Sequence, residues 1–287
     1  MWVVYALFSA FFAGIMSFLA KVGVADTDSD LATALRTVII AICAWLMVFV
    51  VGSQHTLINI NAKSLMFLTL SGLSTGVSWL CYFRALQLGD INKVVPIDKS
   101  STVLTMLLSS IFLREGLTPV KICAMIAIGT GTYLMIERKE TIIKKQSGQS
   151  WLIYAILSAI FASLSAILSK LGVTDIESNL ATALRTSIVL IMAWAIVFSQ
   201  GKHRFIPSID KRSRWFIGLS GIATGLSWLC FYRALQLGDA SIVVPIDKLS
   251  IAVTIALGAI FLKERLTKRS ITGLLLIVTG TLSLLTG

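Results

Sequence analysis

Apolar residues fall along this chain in long runs separated by short polar segments. A helix needs about 20 residues to cross a bilayer's hydrocarbon core. Runs of about that length can be drawn at 2–20, 31–51, 65–88, 94–113 and 120–136, and again at 151–169, 180–199, 215–237, 242–262 and 271–285. A charged stretch at 137–145 lies between the two sets. The pattern predicts an all-α integral membrane protein of ten transmembrane helices.

The two sets of five runs are copies. Aligning residues 2–138 with 151–287 at a constant offset of 149, without a gap, gives 66 identities in 137 positions. Trp2 matches Trp151, Pro96 matches Pro245 and Glu115 matches Glu264. The chain therefore divides into a first five-helix repeat (1–138), a basic linker (139–150) and a second repeat (151–287). Because five is odd, the second copy enters the membrane upside down if every run spans. The fold expected is two inverted five-helix repeats about an axis in the membrane plane, an architecture that points towards transport.

Composition sharpens this picture. With 56% hydrophobic and 14% charged residues and a mean hydropathy of +0.87, there is too little polar surface to cover a soluble protein. The net charge of +11 does not call for nucleic acid, because most Lys and Arg lie in short segments between the runs, where they act as a topology signal. Their distribution places the loops after spans 1, 3, 5, 7 and 9 in the cytoplasm and both termini outside. The copies differ in the way opposite insertion requires: segment 53–64 has Lys63 alone, whereas 202–213 has Lys202, Arg204, Lys211 and Arg212. The first run carries neither a basic leader nor an early cleavage signal, and so is expected to be retained as a span. Cys43, Cys81, Cys123 and Cys230 all fall inside apolar runs, which suits packing and not a disulfide framework or zinc site.

Charges inside spans are costly and by default mark a site. Lys21, Arg36, Arg84, Asp98 and Lys99 gather at one face of the first copy, and Lys170, Arg185, Arg233, Asp247 and Lys248 at the opposite face through the second. Lys99 and Lys248 lie roughly 8–10 Å into their spans, against a half-thickness of about 15 Å. The VPIDK segments (95–99 and 244–248) add a proline, which kinks a helix or frees a carbonyl beside the ionisable pair. Neighbours on a helix point about 100° apart, so Asp98 and Lys99 are each expected to find another partner. A structural ion pair is the competing reading for them, snorkelling the competing reading for Arg84, Arg233, Lys21 and Lys170, and pairing with Asp26 and Asp175 that for Arg36 and Arg185. Trp79 and Trp228 are stacking candidates whose bland alternative is core filling. Gly72 with Gly76, and Gly221 with Gly225, predict close helix approach. In the LGD turns, 88–90 and 237–239, Gly ends the third span and Asp caps the fourth. The sequence has no P-loop, GxSxG, HExxH or Cys/His cluster; neither enzyme chemistry nor a metal or cofactor is expected.

The strings LATALRT (31–37 and 180–186), SWLC followed by RALQLGD (78–90 and 227–239), VVPIDK (94–99 and 243–248) and a closing FLREGLT or FLKERLT resemble the EamA-type domain of the drug/metabolite transporter superfamily. In particular they resemble its small five-span bacterial and archaeal members, here fused in tandem. The resemblance implies ten helices and ATP-independent transport, and leaves the solute open. The small multidrug resistance relatives need a carboxylate in the first span, and neither 2–20 nor 151–169 contains one. Four basic groups around one intramembrane carboxylate in each copy suit an anionic or zwitterionic solute. The expectation is an alternating-access exporter or exchanger in the cell membrane, monomeric or homodimeric, whose partners are the lipid bilayer and a small-molecule substrate, with no nucleic acid. Proton coupling through Asp98 or Asp247 and uncoupled exchange both remain open, as does the rival class, a non-transporting membrane scaffold or accessory subunit.

Overall fold

The computed structural model describes residues 1–23, 27–88, 94, 97–135, 150–261 and 267–285. Among these, the regular elements are all helical. The α-helices are α1 (Trp2–Gly23), α2 (Ser29–Val51), α3 (Ala62–Leu88), α4 (Ser101–Phe112), α5 (Pro119–Met135), α6 (Ser150–Val173), α7 (Ser178–Ser199), α8 (Lys211–Leu237), α9 (Ala240–Asp247), α10 (Ser250–Phe261) and α11 (Lys268–Ser283). Short 3-10 turns, Ser53–Asn59 and Lys202–Ser208, follow α2 and α7. Seven stretches are long and apolar enough to cross a membrane, namely α1, α2, α3, α6, α7, α8 and the joined α9 and α10, and α5 is a shorter apolar helix.

The burial pattern is that of a protein solvated by lipid. Ile42, Phe49, Ile126 and Ile191 are each at least 59% exposed on the outside of the bundle. The interior is made instead of small residues such as Ala6, Ala34, Ala44, Ser71, Ser158 and Ala183, all fully buried. Lipid tails remove the hydrophobic drive between helices, so association depends on close packing, which small residues permit. Gly72 sits against Ile188 and Gly76 against Met192, while their counterparts Gly221 and Gly225 sit against Ile39 and Cys43. These are copy-related contacts, each pair reached from the other by adding or subtracting 149.

The larger packing follows the same rule. α3 lies along α6 as α1 lies along α8, while α2 packs on its own counterpart α7, and α5 on α11. Ala44 and Val48 meet Leu180 and Ala183, whereas Leu31 and Ala32 meet Ala193 and Val197, so α2 and α7 run antiparallel. Gly131 meets Gly273 and Ile277, and Gly280 meets Ala124 and Ile128, which makes α5 and α11 antiparallel as well.

The fourth run of the second copy is broken. Pro245 lies inside α9, and the chain then tightens: Lys248 N–H donates to Pro245 O, Leu249 N–H to Ile246 O and Ile251 N–H to Lys248 O, each at 2.9–3.0 Å. These bonds to the third residue back replace the α-helical pattern after the proline, and α9 ends at Asp247 with Lys248 as its C-cap. In the first copy residues 97–99 are helical and Ser100 N–H donates to Ile97 O, before α4 starts at Ser101. Pro96 lies outside the described residues.

One ion cluster at a bundle end ties the copies together. Lys202 Nζ is 2.9 Å from Asp28 Oδ2 and also bonds Asp30. Burial pushes the Asp28 carboxyl up, but Lys202 and the α2 amides it caps hold it below its usual range. Burial likewise opposes the charge on Lys202, yet Asp30 and Asp28 hold its ammonium above its usual value.

Candidate functional site

Between the copies lies a cavity of about 240 Å³. The first copy lines it with Thr75, Ser78 and Trp79 from α3 and with Ser101, Thr102 and Thr105 at the start of α4. The second contributes Ser165 and Ser169 from α6, Arg185 from α7, Phe231 and Tyr232 from α8, and Asp247 and Lys248 at the α9 break. Hydroxyls line a space that holds two cationic groups and one carboxylate.

Arg185 is the most firmly held of the three charged residues that line the cavity. It is 7% exposed, and its Nε donates to Ser71 Oγ at 3.0 Å while Nη2 donates to Thr75 Oγ1 at 2.7 Å and Ser165 Oγ at 3.3 Å. The guanidinium lies over the Trp228 and Tyr232 rings, 5.2 and 5.5 Å from their centroids. The pairing with Asp175 that the sequence suggested is replaced by hydroxyls and rings from α3, α6 and α8, because α7 turns this face inward. Tyr232 is itself fixed by Ser169, 3.0 Å from its hydroxyl.

The two aspartates occupy matching positions. Ser158 Oγ donates to Asp98 Oδ1 at 2.7 Å, and Ser78 Oγ donates to Ser158 O at 3.0 Å. In the same way Ser9 Oγ donates to Asp247 Oδ1 at 2.8 Å, and Ser227 Oγ to Ser9 O at 3.0 Å. Each carboxylate is thus bonded by a serine of the opposite copy. Lys99 Nζ lies 3.8 Å from Asp98 Oδ2, so these neighbours do meet, contrary to the expectation from helical angle: about 100° between Cα–Cβ directions does not keep a four-carbon lysine stem from reaching its neighbour. Lys248 sits at the C-terminus of α9, where the helix dipole favours a cation.

Most of the other sequence candidates lie away from the cavity. Lys170 Nζ donates to Leu235 O and Gly238 O at 2.6 and 2.7 Å, capping the end of α8, where the sequence suggested snorkelling. Gln236 returns the service, donating to Val173 O and Ile176 O at the end of α6. Arg233 Nη1 donates to Gln236 Oε1 at 2.7 Å. Arg84 is exposed along α3, and Arg36 Nη1 approaches Met16 Sδ at 3.4 Å. Trp79 lines the cavity, and Trp228 faces Arg185. The Lys21 side chain, Asp26, Glu264 and the first LGD turn beyond Leu88 lie outside the described residues. At the second LGD turn the cap is not Asp239, whose side chain makes no capping bond. Glu115 reaches across from the first copy and accepts from Ala240 N–H and Ser241 N–H, both at 2.8 Å.

Sequence reasoning from charge missed Ser165, Ser169, Thr102 and Tyr232. A usable signal existed: the copies differ there, with Met16, Ala20, Ile251 and Phe83 at the matching positions.

A duplicated helical bundle with an apolar exterior and a charged interior cavity is a multi-pass membrane protein, and its relatives make it a transporter. Residues 1–137 and 149–286 each match the EamA-like transporter family, to which the chain belongs. An uncharacterized transporter encoded in the cobO 3' region of Sinorhizobium is 45% identical over 136 residues, 47% of this chain and 96% of its own. An uncharacterized transporter of Archaeoglobus fulgidus is 26% identical over 79% of this chain and 78% of its own. A solved crystal structure matches with a TM-score of 0.78 over 98% of this chain and 95% of that one, at 14% identity, a likeness of fold.

Proposed function

We propose that this chain is a secondary transporter that moves a small polar metabolite, anionic or zwitterionic, across the cell membrane by alternating access between two inverted halves. The observation that carries the proposal is the cavity between the copies, where Arg185 and Lys248 outnumber Asp247 inside an apolar bundle. A buried excess of positive charge is costly, and a ligand carboxylate or phosphate offsets it. Lys248 attracts that anion and Asp247 receives an amine or a proton. The antiparallel packing of α2 on α7 and of α5 on α11 supports the inverted arrangement, because a half-turn that exchanges the copies leaves both contacts in place. On this reading both termini are extracytoplasmic.

The test is uptake or exchange of a labelled metabolite extract by proteoliposomes of the purified chain. Wild-type protein is expected to move at least one component. The double variant Asp247→Asn with Lys248→Met is expected to insert, keep its thermal transition and fail to transport. Movement of no component by the wild type supports the scaffold reading. Near wild-type rates in the double variant remove these residues from the site.

A further inference from the structure

The duplication places two arginines, Arg36 and Arg185, at equivalent positions, but their surroundings differ. Arg185 is held by hydroxyls on Nε and Nη2 and lies over two rings. Its Nη1 has no protein partner among the described residues, and the residue lines the cavity. Arg36 has the counterparts of Ser71 and Thr75 within reach of its helix, as Ser220 and Thr224, yet these bond their own helix instead, at Ile217 O and Ser220 O. The Arg36 Nε is buried without a partner, and its Nη1 faces the Met16 thioether.

Sequence divergence between the copies has the same direction. At the positions matching Ser165, Ser169, Tyr232 and Thr102 the sequence has Met16, Ala20, Phe83 and Ile251. Two exchanges run the other way, Ser17 for Ala166 and Tyr82 for Phe231, and the Ser17 hydroxyl is used within its own helix, on Ala13 O. A fork held rigidly on two of its nitrogens, on a residue that lines a polar cavity, is organised to receive an oxyanion. A guanidinium beside a thioether, with a buried bare nitrogen, is not.

We infer that anion recognition has been kept by one copy alone: Arg185, fixed by Ser71, Thr75 and Ser165 and backed by Trp228 and Tyr232, is the anchor for the substrate's carboxylate or phosphate, and Arg36 is not. This rests on the transporter reading. It adds that the two halves exchange positions around a single anchor and do not present two equivalent ones, so the solute's anionic end stays with the second copy throughout the cycle.

Thermal unfolding of the purified full chain in detergent tests this with succinate, glutamate and inorganic phosphate titrated against chloride at matched ionic strength. At least one probe is expected to raise the transition of the wild type and of Arg36→Gln with similar midpoints. In Arg185→Gln the midpoint is expected to shift at least tenfold upward, and Arg185→Lys, which keeps the charge and loses the fork, is expected to recover only part of it. The probe that binds separates carboxylate from phosphate. Should Arg185→Gln fail to fold, Ser165→Met with Ser169→Ala, which gives this side the other copy's chemistry, is expected to show the same loss. Equal loss in Arg36→Gln, retained affinity in the Arg185 variants, or no response to any probe in the wild type overturns the single anchor. Proteoliposome transport separates the two levels. Wild-type transport that survives Arg185→Gln sinks the anchor and leaves the transporter, while a wild type that binds but moves nothing sinks the transporter reading.

Discussion

Glu115 shows how a single side chain joins the copies. Both its oxygens accept backbone N–H groups at the start of α9, on Ala240 and Ser241. Lys170 and Gln236 meanwhile satisfy carbonyls at the ends of α8 and α6. Helix ends inside a membrane have no water to serve their orphan groups, so these bonds replace solvent. A carboxylate at a helix N-terminus is also favoured by the dipole. Glu115→Ala is therefore expected to lower stability by about 1–2 kcal/mol, and Asp239→Ala by distinctly less, although Asp239 holds the N-cap position. Thermal unfolding of the two variants in detergent checks the ranking; an equal or larger loss from Asp239→Ala would return the cap to that residue.

At the scale of the helices, packing is set by where a methyl group fits. Gly129 and Gly131 are two residues apart on α5. A Cβ on Gly131 would lie 2.6 Å from Gly273 O, a backbone atom of α11 that cannot step aside, whereas one on Gly129 would meet only Val103 Cγ2 at 3.5 Å. Alanine is the better helix former by about 1 kcal/mol, so Gly129→Ala is expected to be neutral or stabilising. Gly131→Ala is expected to cost about 1–3 kcal/mol by pushing α5 off α11, a contrast that paired unfolding curves measure. The all-helical, membrane-spanning character was legible in the sequence, because run length and the offset of 149 are properties of the chain in one dimension, although seven of the ten expected runs are long and apolar enough to span among the described residues. Partner choice was less so. Arg185 was visible as a buried charge, but its partners Ser71, Thr75 and Ser165 come from α3 and α6, and nothing in the residues near Arg185 points to them. Asp239 read as a cap because local sequence favours Asp there, while the residue that wins stands 125 positions from the Ala240 amide it serves. The difference between Met16 and Ser165 was available, yet it acquires meaning only once both are seen beside an arginine.

For the whole molecule, the arrangement of the halves turns on which ends face which side. α2 and α7 are counterparts and run antiparallel, so the turn after α2, Ser53–Asn59, and the turn after α7, Lys202–Ser208, stand at opposite ends of the bundle. Lys202 is paired with Asp28 and Asp30 at the start of α2, which places that turn beside the other copy's helix N-terminus and removes one cation from the topology signal. Arg204, Lys211, Arg212 and Arg214 still outnumber Lys63 in the matching segment, so the positive-inside bias survives that pairing. Thr56 and Phe205 are copy-related and both exposed, and replacing either leaves every charge in place. In a background lacking the four native cysteines, Thr56→Cys is expected to react with a membrane-impermeant maleimide on intact cells. Phe205→Cys is expected to react only after the cytoplasmic face is opened. Labelling of both from one side would remove the inverted arrangement, and alternating access between the halves with it. Labelling in the reversed sense would overturn only the orientation, because the antiparallel contacts of α2 with α7 hold whichever end faces the cytoplasm.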